Sequence, residues 1–351
     1  MAINLTTKYA STIEKLYTHT SFLRAHCKAN VEMTGAKTCR VYMLNTTPVA
    51  DYTRNGNSRY GEVKDVQDTV VEYMMTQDKS FTGVVDKGDE SEQAISNKSG
   101  QWLRQQIAEQ CVPTGDKYGF ARIAKLGHIA GVTAEPTKST IVTMVYDAAT
   151  YMDEHLVPEN GRVLFVRAKD YPKIILSDEW HGLDSLAGKQ LPTGTVGQIA
   201  GFTVVKVPSN MFPTDVYMVA MQESAAAFPY RINDTKIHQD PPGISGALIE
   251  GRQTYDLFVL ASKADAVVVI GKDGSKQECS VEIVSHNATV TATGADEIWY
   301  TLDGSDPRFS ANRKQVASGG TVVTKTGETI RVVAFGKGGK LTSDIAETTD
   351  K

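Results

Sequence analysis

The sequence predicts an α+β fold organised around one extended hairpin and closed at the carboxyl end by a small β-sandwich. Three observations carry this. Two extended runs, Arg40–Leu44 and Thr69–Val85, are joined by a long polar connection, Asn45–Gln67, with almost nothing in it that could form a core. In the second run Val71, Tyr73 and Met75 alternate with Glu72, Met74 and Thr76, the period of two of a half-buried strand. Helix and strand patterns then alternate through 140–250, while beyond Ser275 only short β runs remain. A structureless connection of that length marks a functional projection. An isolated hairpin is marginal in water, so an outside surface must cover its apolar face, and an identical neighbour is the nearest supplier.

Taken in order, 1–39 reads as an amino-terminal arm. Its helical spacing is weak (Ile13, Leu16, Tyr17, Phe22, Leu23), Gly35 breaks it, and it is expected to dock on other parts of an assembly. The hairpin loop follows over 40–86. The segment 87–139 opens on Gly88-Asp89-Glu90-Ser91, acidic as a first helical turn prefers. A long helix is predicted from Glu92 to Gln110, with Leu103, Ile107 and Cys111 recurring and Trp102 as core. Pro113 and Gly115 interrupt it, and a second helical piece carries Phe120, Ile123 and Ala124. So thinly apolar a helix lies across a sheet as a spine.

The segment 140–250 predicts an α/β domain. Thr140–Leu156 is a helix closed by Pro158-Glu159-Asn160-Gly161. Val163–Val166 is wholly apolar and so a central strand. Asp170–Leu176 is a helix with Pro172 in its first turn. Ile199–Val207 and Val216–Met221 are strands, Glu223–Phe228 a short Ala-rich helix, and Pro241-Pro242-Gly243 a sharp loop. Over 251–274, Tyr255–Leu260 and Ala266–Ile270 return to the sheet near the spine. The last segment, 275–351, has β runs at Val281–Val284, Thr289–Ala292, Ile298–Leu302, Thr321–Lys325 and Thr329–Phe335, spaced as in a small sandwich.

Composition sets outer bounds. The 351 residues predict two or three domains, and 41% hydrophobic with 22% charged residues is ordinary for globular protein. A net charge of −4 gives no general nucleic-acid footprint, although residues 1–40 carry six Lys and Arg against Glu14 and Glu32, read as a solvated basic arm. Cys27, Cys39, Cys111 and Cys279 lack metal-ligand spacing and read as small buried hydrophobes of a reducing compartment. The start has no secretory pattern, and no apolar run is long enough to span a membrane.

The search for chemistry returns little. The seven histidines never pair at metal spacing. His26-Cys27 and Asp178-Glu179-Trp180-His181 read as structural or loop residues rather than as nucleophile or acid–base groups. Gly243-Ile244-Ser245-Gly246 lacks the nucleophile-elbow frame, and Gly271-Lys272-Asp273-Gly274 lacks phosphate-loop spacing. Asp303 and Asp306 read as turn residues rather than calcium ligands. No catalytic residue, metal or cofactor is expected. The residues expected to work are Tyr52, Arg54, Arg59 and Tyr60 in the projecting loop, since arginine forks and tyrosine rings suit subunit contacts.

Two resemblances sharpen the expectation. The order of elements over 1–272, with Val49-Ala50-Asp51-Tyr52-Thr53-Arg54-Asn55-Gly56, Ser58-Arg59-Tyr60-Gly61, Thr76-Gln77-Asp78-Lys79-Ser80-Phe81 and Gly201–Ser209, resembles tailed-phage major capsid proteins of the Hong Kong 97-like fold. That resemblance implies an amino-terminal arm, extended hairpin loop, spine helix, peripheral sheet and α/β axial domain. It also implies self-assembly as hexamers and pentamers into an icosahedral head. Scaffolding, portal and decoration proteins and non-specifically packaged DNA would be partners, with no membrane, in a virion assembled in bacterial cytoplasm. The family's self-crosslinking chemistry is not carried by any motif here. Separately, Tyr300-Thr301-Leu302-Asp303-Gly304-Ser305-Asp306-Pro307 is similar to the signature of immunoglobulin-like modules at the carboxyl end of chitobiases and hexosaminidases, which do not themselves cleave sugars. The alternatives are a phage tail-tube or head-decoration protein and, on the last module alone, a secreted carbohydrate-active enzyme.

Overall fold

The computed structural model describes residues 20–29, 31–35, 37–44, 49, 51–52, 54, 59–60, 68–87, 98–177, 195–310, 312–336 and 340–351. Within the arm, residues 20–29 dock on their own chain. Leu23 is fully buried, and Ser21 Oγ and Phe22 N donate to Asp116 on the spine at 2.5 and 2.8 Å.

The extended run 69–85 is two strands, not one. β1 (Glu32–Met33), β2 (Thr38–Leu44) and β3 (Asp68–Met74) form an antiparallel sheet with Thr38 opposite Met74 and Tyr42 opposite Val70. The chain then changes partner at Met75–Thr76, and β4 (Gln77–Asp86) joins a different sheet. A polar knot holds the junction. The fully buried Asp256 carboxylate accepts from Thr76 N (2.9 Å), Thr76 Oγ1 (2.8 Å), Tyr118 Oη (2.8 Å) and Leu257 N (2.8 Å).

The spine is continuous. α1 (Lys98–Gln106) widens into one π-helical turn over Ile107–Cys111 and resumes as α2 (Val112–Leu126). From Lys98 to Leu126 it is roughly 40 Å long at 1.5 Å per residue. Pro113 does not interrupt it. The wide turn just before it changes the hydrogen-bond pattern where proline has no N–H to give, and Val112 keeps helical angles (φ −65°, ψ −51°).

Beyond the spine come β5 (His128–Val132), α3 (Ile141–Glu154), β6 (Arg162–Arg167), α4 (Tyr171–Ile175), β7 (Thr195–Ile199), β8 (Phe202–Val207) and β9 (Val216–Gln222). Next are β10 (Ala226–Ala227), β11 (Tyr230–Gln239), β12 (Gly246–Tyr255), β13 (Phe258–Val259) and β14 (Val267–Lys272). Six of these strands make the main sheet, in the order β5-β14-β9-β6-β8-β7. Its two faces separate by residue parity. Val163, Phe165, Val205, Val219 and Val267 meet Phe120 and Ile123 of α2, while Leu164, Val166, Val204, Met218 and Val268 meet Ile141, Val145 and Met152 of α3. Cover on both faces is why the middle of β6, Val163–Val166, is apolar throughout. The short helix expected at Glu223–Phe228 is instead a turn followed by β10, which pairs with β13.

β11 and β12 form a long hairpin that β4 extends into a three-stranded sheet. Trp102 of α1 lies on it, half-buried against Phe81, 6.2 Å between ring centroids. Glycines make that approach possible: a Cβ at Gly83 would sit 2.6 Å from the Trp102 ring, and one at Gly251 would sit 2.1 Å from Phe81.

The last segment contributes β15 (Ser280–Val284), β16 (Asn287–Thr291), β17 (Ala295–Thr301), β18 (Lys314–Val316), β19 (Thr321–Val323), β20 (Thr329–Gly336) and β21 (Ala346–Thr349). The sheets β15-β16-β19 and β18-β17-β20-β21 enclose Ala288, Val290, Ile298, Val322, Ile330 and Val332. This unit grips the end of the spine. Arg308 Nη1 donates to Leu126 O (3.1 Å) and Gly127 O (3.2 Å), Thr342 Oγ1 donates to Lys125 O (2.9 Å), and Asp306 holds Arg308 through Nε and Nη2. A cation on the last carbonyls of a helix satisfies orphan acceptors and opposes the macrodipole. Arg308→Ala is expected to cost about 1.5–3 kcal/mol in urea unfolding, the range for a charged hydrogen-bond donor. An unchanged midpoint would show that the contact is incidental.

Candidate assembly surface

The ribbon β1-β2-β3 has one covered and one open face. Cys39, Val41 and Tyr73 pack on Ala29, Ala227, Phe258 and Leu260, so the base of the ribbon is sheltered by its own chain. The premise that this hairpin lacks any intramolecular cover is therefore corrected at its base. The opposite face carries Tyr42, Val70 and Met74, exposed (68% for Met74), around the Arg40–Glu72 ion pair. The alternation in the second strand had placed Glu72 and Met74 there. Tyr42 and Val70 are additions, because their side is fixed only by the register of β2 on β3.

Farther along the connection, Val49, Tyr52, Arg54, Arg59 and Tyr60 are exposed. The structure brings Tyr52 and Tyr60 together edge-to-face, with centroids 5.1 Å apart and rings at 65°. Tyrosine and arginine are residue types enriched at protein interfaces.

Elsewhere the sequence candidates for chemistry dissolve into structure. Burial pushes the Cys27 thiol far above its ordinary range, with Asp116 and Glu223 adding, so no thiolate forms there at neutral pH. His26 Nδ1 lies 2.9 Å from Glu223 Oε1. Gly243-Ile244-Ser245-Gly246 is the turn and first residue of β12, and Gly271-Lys272-Asp273-Gly274 is the end of β14 and its turn. Asp303 accepts from Ser305 and Asn312, bonds that hold its carboxyl below the usual range. Asp178-Glu179-Trp180-His181 lies outside the described residues. Among the described residues, no cluster of His, Cys, Asp and Glu could hold a metal ion, and no helix is long and apolar enough to cross a membrane.

With this geometry in view, comparison with solved structures decides the fold. A chain from Mycobacterium phage Che8 superposes with a TM-score of 0.57 at 20% identity, covering 77% of this chain and 98% of that one. The capsid of Cyanophage P-SCSP1u gives 0.58 at 13% identity (77% and 93% covered), and the mature capsid of bacteriophage PhiM1 gives 0.55 at 13% (77% and 92%). The fold is that of phage capsid chains. The capsid fold accounts for nearly the whole of each neighbour, and the share of this chain left over is about the size of 275–351. No protein-family model matches the sequence, and no curated protein does.

Proposed function

We infer that this chain is the major capsid protein of a tailed bacteriophage, building the icosahedral head shell around packaged DNA. The observation that carries this is coverage: chains of two phage capsids are matched over 92–93% of their length, and a chain of Mycobacterium phage Che8 over 98%. In this reading the subunit belongs to the Hong Kong 97-like class and works without catalysis or cofactor. Hexamers and pentamers close through the ribbon, its open face Tyr42, Val70 and Met74, and the loop residues Tyr52, Arg54, Arg59 and Tyr60 on a neighbour. Scaffolding and portal proteins assist assembly in the host cytoplasm. The unit 275–351 is an immunoglobulin-like module fixed to the end of the spine. Each contact is modest, but closed symmetry repeats it around the shell.

Electron microscopy of the recombinant chain, with its scaffolding protein where required, tests the reading. Closed isometric shells are expected. Tubes or rings would favour a tail-tube role, and a strictly monomeric product under all conditions would end the capsid reading.

A further inference from the structure

Four strands of the main sheet end on one cleft. β5, β14, β6 and β8 run the same way, with β9 antiparallel between β14 and β6. At or just beyond their carboxyl ends lies a cleft of about 690 Å³, lined from these four strands by Thr133, Lys272, Arg167 and Ser209 respectively. Ligands of open α/β sheets bind at this end of the strands, and the volume is that of a small-molecule site. Arg167 is its most deeply set charge. The side chain is 8% exposed, and the guanidinium lies 4.5 Å over the Tyr217 ring. Its Nε and Nη2 engage the fully buried Asp170, and Nη2 reaches Glu135 Oε1 at 3.3 Å. Nη1 makes no hydrogen bond among the described residues. Lys272 is exposed and has no ion pair among the described residues. Arg167 and Lys272 end the two neighbours of β9, roughly 12 Å apart at Cα, two strand spacings across and two residues along. Two long side chains can meet one anion over that gap.

The charges at the cleft are Arg167, Lys169, Lys173 and Lys272 against Glu135, Asp170 and Asp215. Asp170 is held by Arg167 and by Lys173 Nζ at 2.7 Å, and Asp215 accepts from Ser275 Oγ. Glu135 is the loose member. It is exposed on the loop after β5 and lies 2.8 Å from Lys169 Nζ, with only the long contact to Arg167 besides. We propose that this cleft binds a small phosphomonoester, its phosphate seated between Arg167 Nη1, Lys169 and Lys272 in place of the Glu135 carboxylate. With Glu135 swung out, four cations face two carboxylates, and a phosphate dianion balances them. Guanidinium and ammonium groups are matched donors for phosphate oxygens. A lone phosphate ion fills only a fraction of the volume, and Thr133, Ser209 and Thr214 line the remainder with hydroxyls suited to a hydroxylated small molecule. The cleft stands whether or not the chain builds shells.

Isothermal titration calorimetry of the purified full-length chain with glycerol 3-phosphate at neutral pH and constant ionic strength is the test. Saturable binding is expected. Lys272→Gln should weaken it about tenfold, the loss of one charged hydrogen bond. Glu135→Gln should tighten it, because an amide no longer competes for the cations, a gain that a purely structural glutamate would not give. Neither variant removes the buried Arg167–Asp170 pair, so both should melt close to wild type without ligand. Inorganic phosphate separates the sources: weaker binding than glycerol 3-phosphate supports the phosphomonoester, and equal or tighter binding would overturn it in favour of a free ion. Absence of saturation with both probes, an equal response to lactate, an undiminished affinity in Lys272→Gln, or no tightening in Glu135→Gln would each overturn the proposal.

Discussion

A chain lacking Asp51–Gly61 is expected to keep its six-stranded sheet folded and to form no closed particles. The described residues of the deleted segment, Asp51, Tyr52, Arg54, Arg59 and Tyr60, are all exposed, and none of them belongs to the apolar clusters that stabilise the subunit. The register of β2 on β3, from Thr38 opposite Met74 to Leu44 opposite Asp68, lies outside the deletion. Shortening a loop changes its closure entropy by only about 0.6 kcal/mol per twofold change in length. On the proposed reading assembly responds differently, because every copy would lose the same contact and closed symmetry would repeat that loss around the shell. The thermal melt of the monomer and particle counts by electron microscopy check the two halves separately. Particle yield equal to wild type would remove the loop from the assembly mechanism.

Asp256→Ala is expected to be the most damaging single substitution at the root of the ribbon, costing about 1.5–3 kcal/mol, the range for hydrogen bonds to a charged group. Its carboxylate serves two donors on Thr76, the Tyr118 hydroxyl and the Leu257 amide, joining the strand junction, the spine and the chain after β12. Alanine removes the one acceptor these donors share; Asp256 itself is fully buried, while Thr76 is exposed. Asp256→Asn should also destabilise, since its amide N–H groups face donors where acceptors are needed. Urea unfolding gives the measurement. A loss below about 1 kcal/mol, that of one ordinary hydrogen bond, would show that the knot is not what fixes the junction.

The parts readable from sequence are those where burial acts on both sides of an element. Val163–Val166 announced a central strand because two helices cover it, and the strand lies between β9 and β8. The helix after Thr140 and the strands Val216–Met221 and Val281–Val284 were legible for related reasons. The hairpin β11–β12 was not, because its outward positions are polar, with Lys236, His238, Glu250 and Arg252 exposed, and because Gly246 and Gly251 interrupt the pattern. The split of 69–85 was invisible for a subtler reason. Inward and outward positions keep alternating through Met75 and Thr76, so periodicity reports burial without reporting which partner supplies it. Pro113 misled because the usual cost of proline assumes a regular helix, and the spine widens just ahead of it. For the proposed assembly surface, the loop residues are candidates on composition alone. Tyr42 and Val70 needed the register of their strands.

The wide turn at Ile107–Cys111 has a mechanical corollary. A rod of uniform α-helix shares an imposed curvature among all its turns, whereas one irregular turn concentrates the strain. If copies of this subunit sit in unequal surroundings, as at pentagonal and hexagonal vertices, the adjustment should fall at that turn. The segments on either side of it would then pivot as stiff levers.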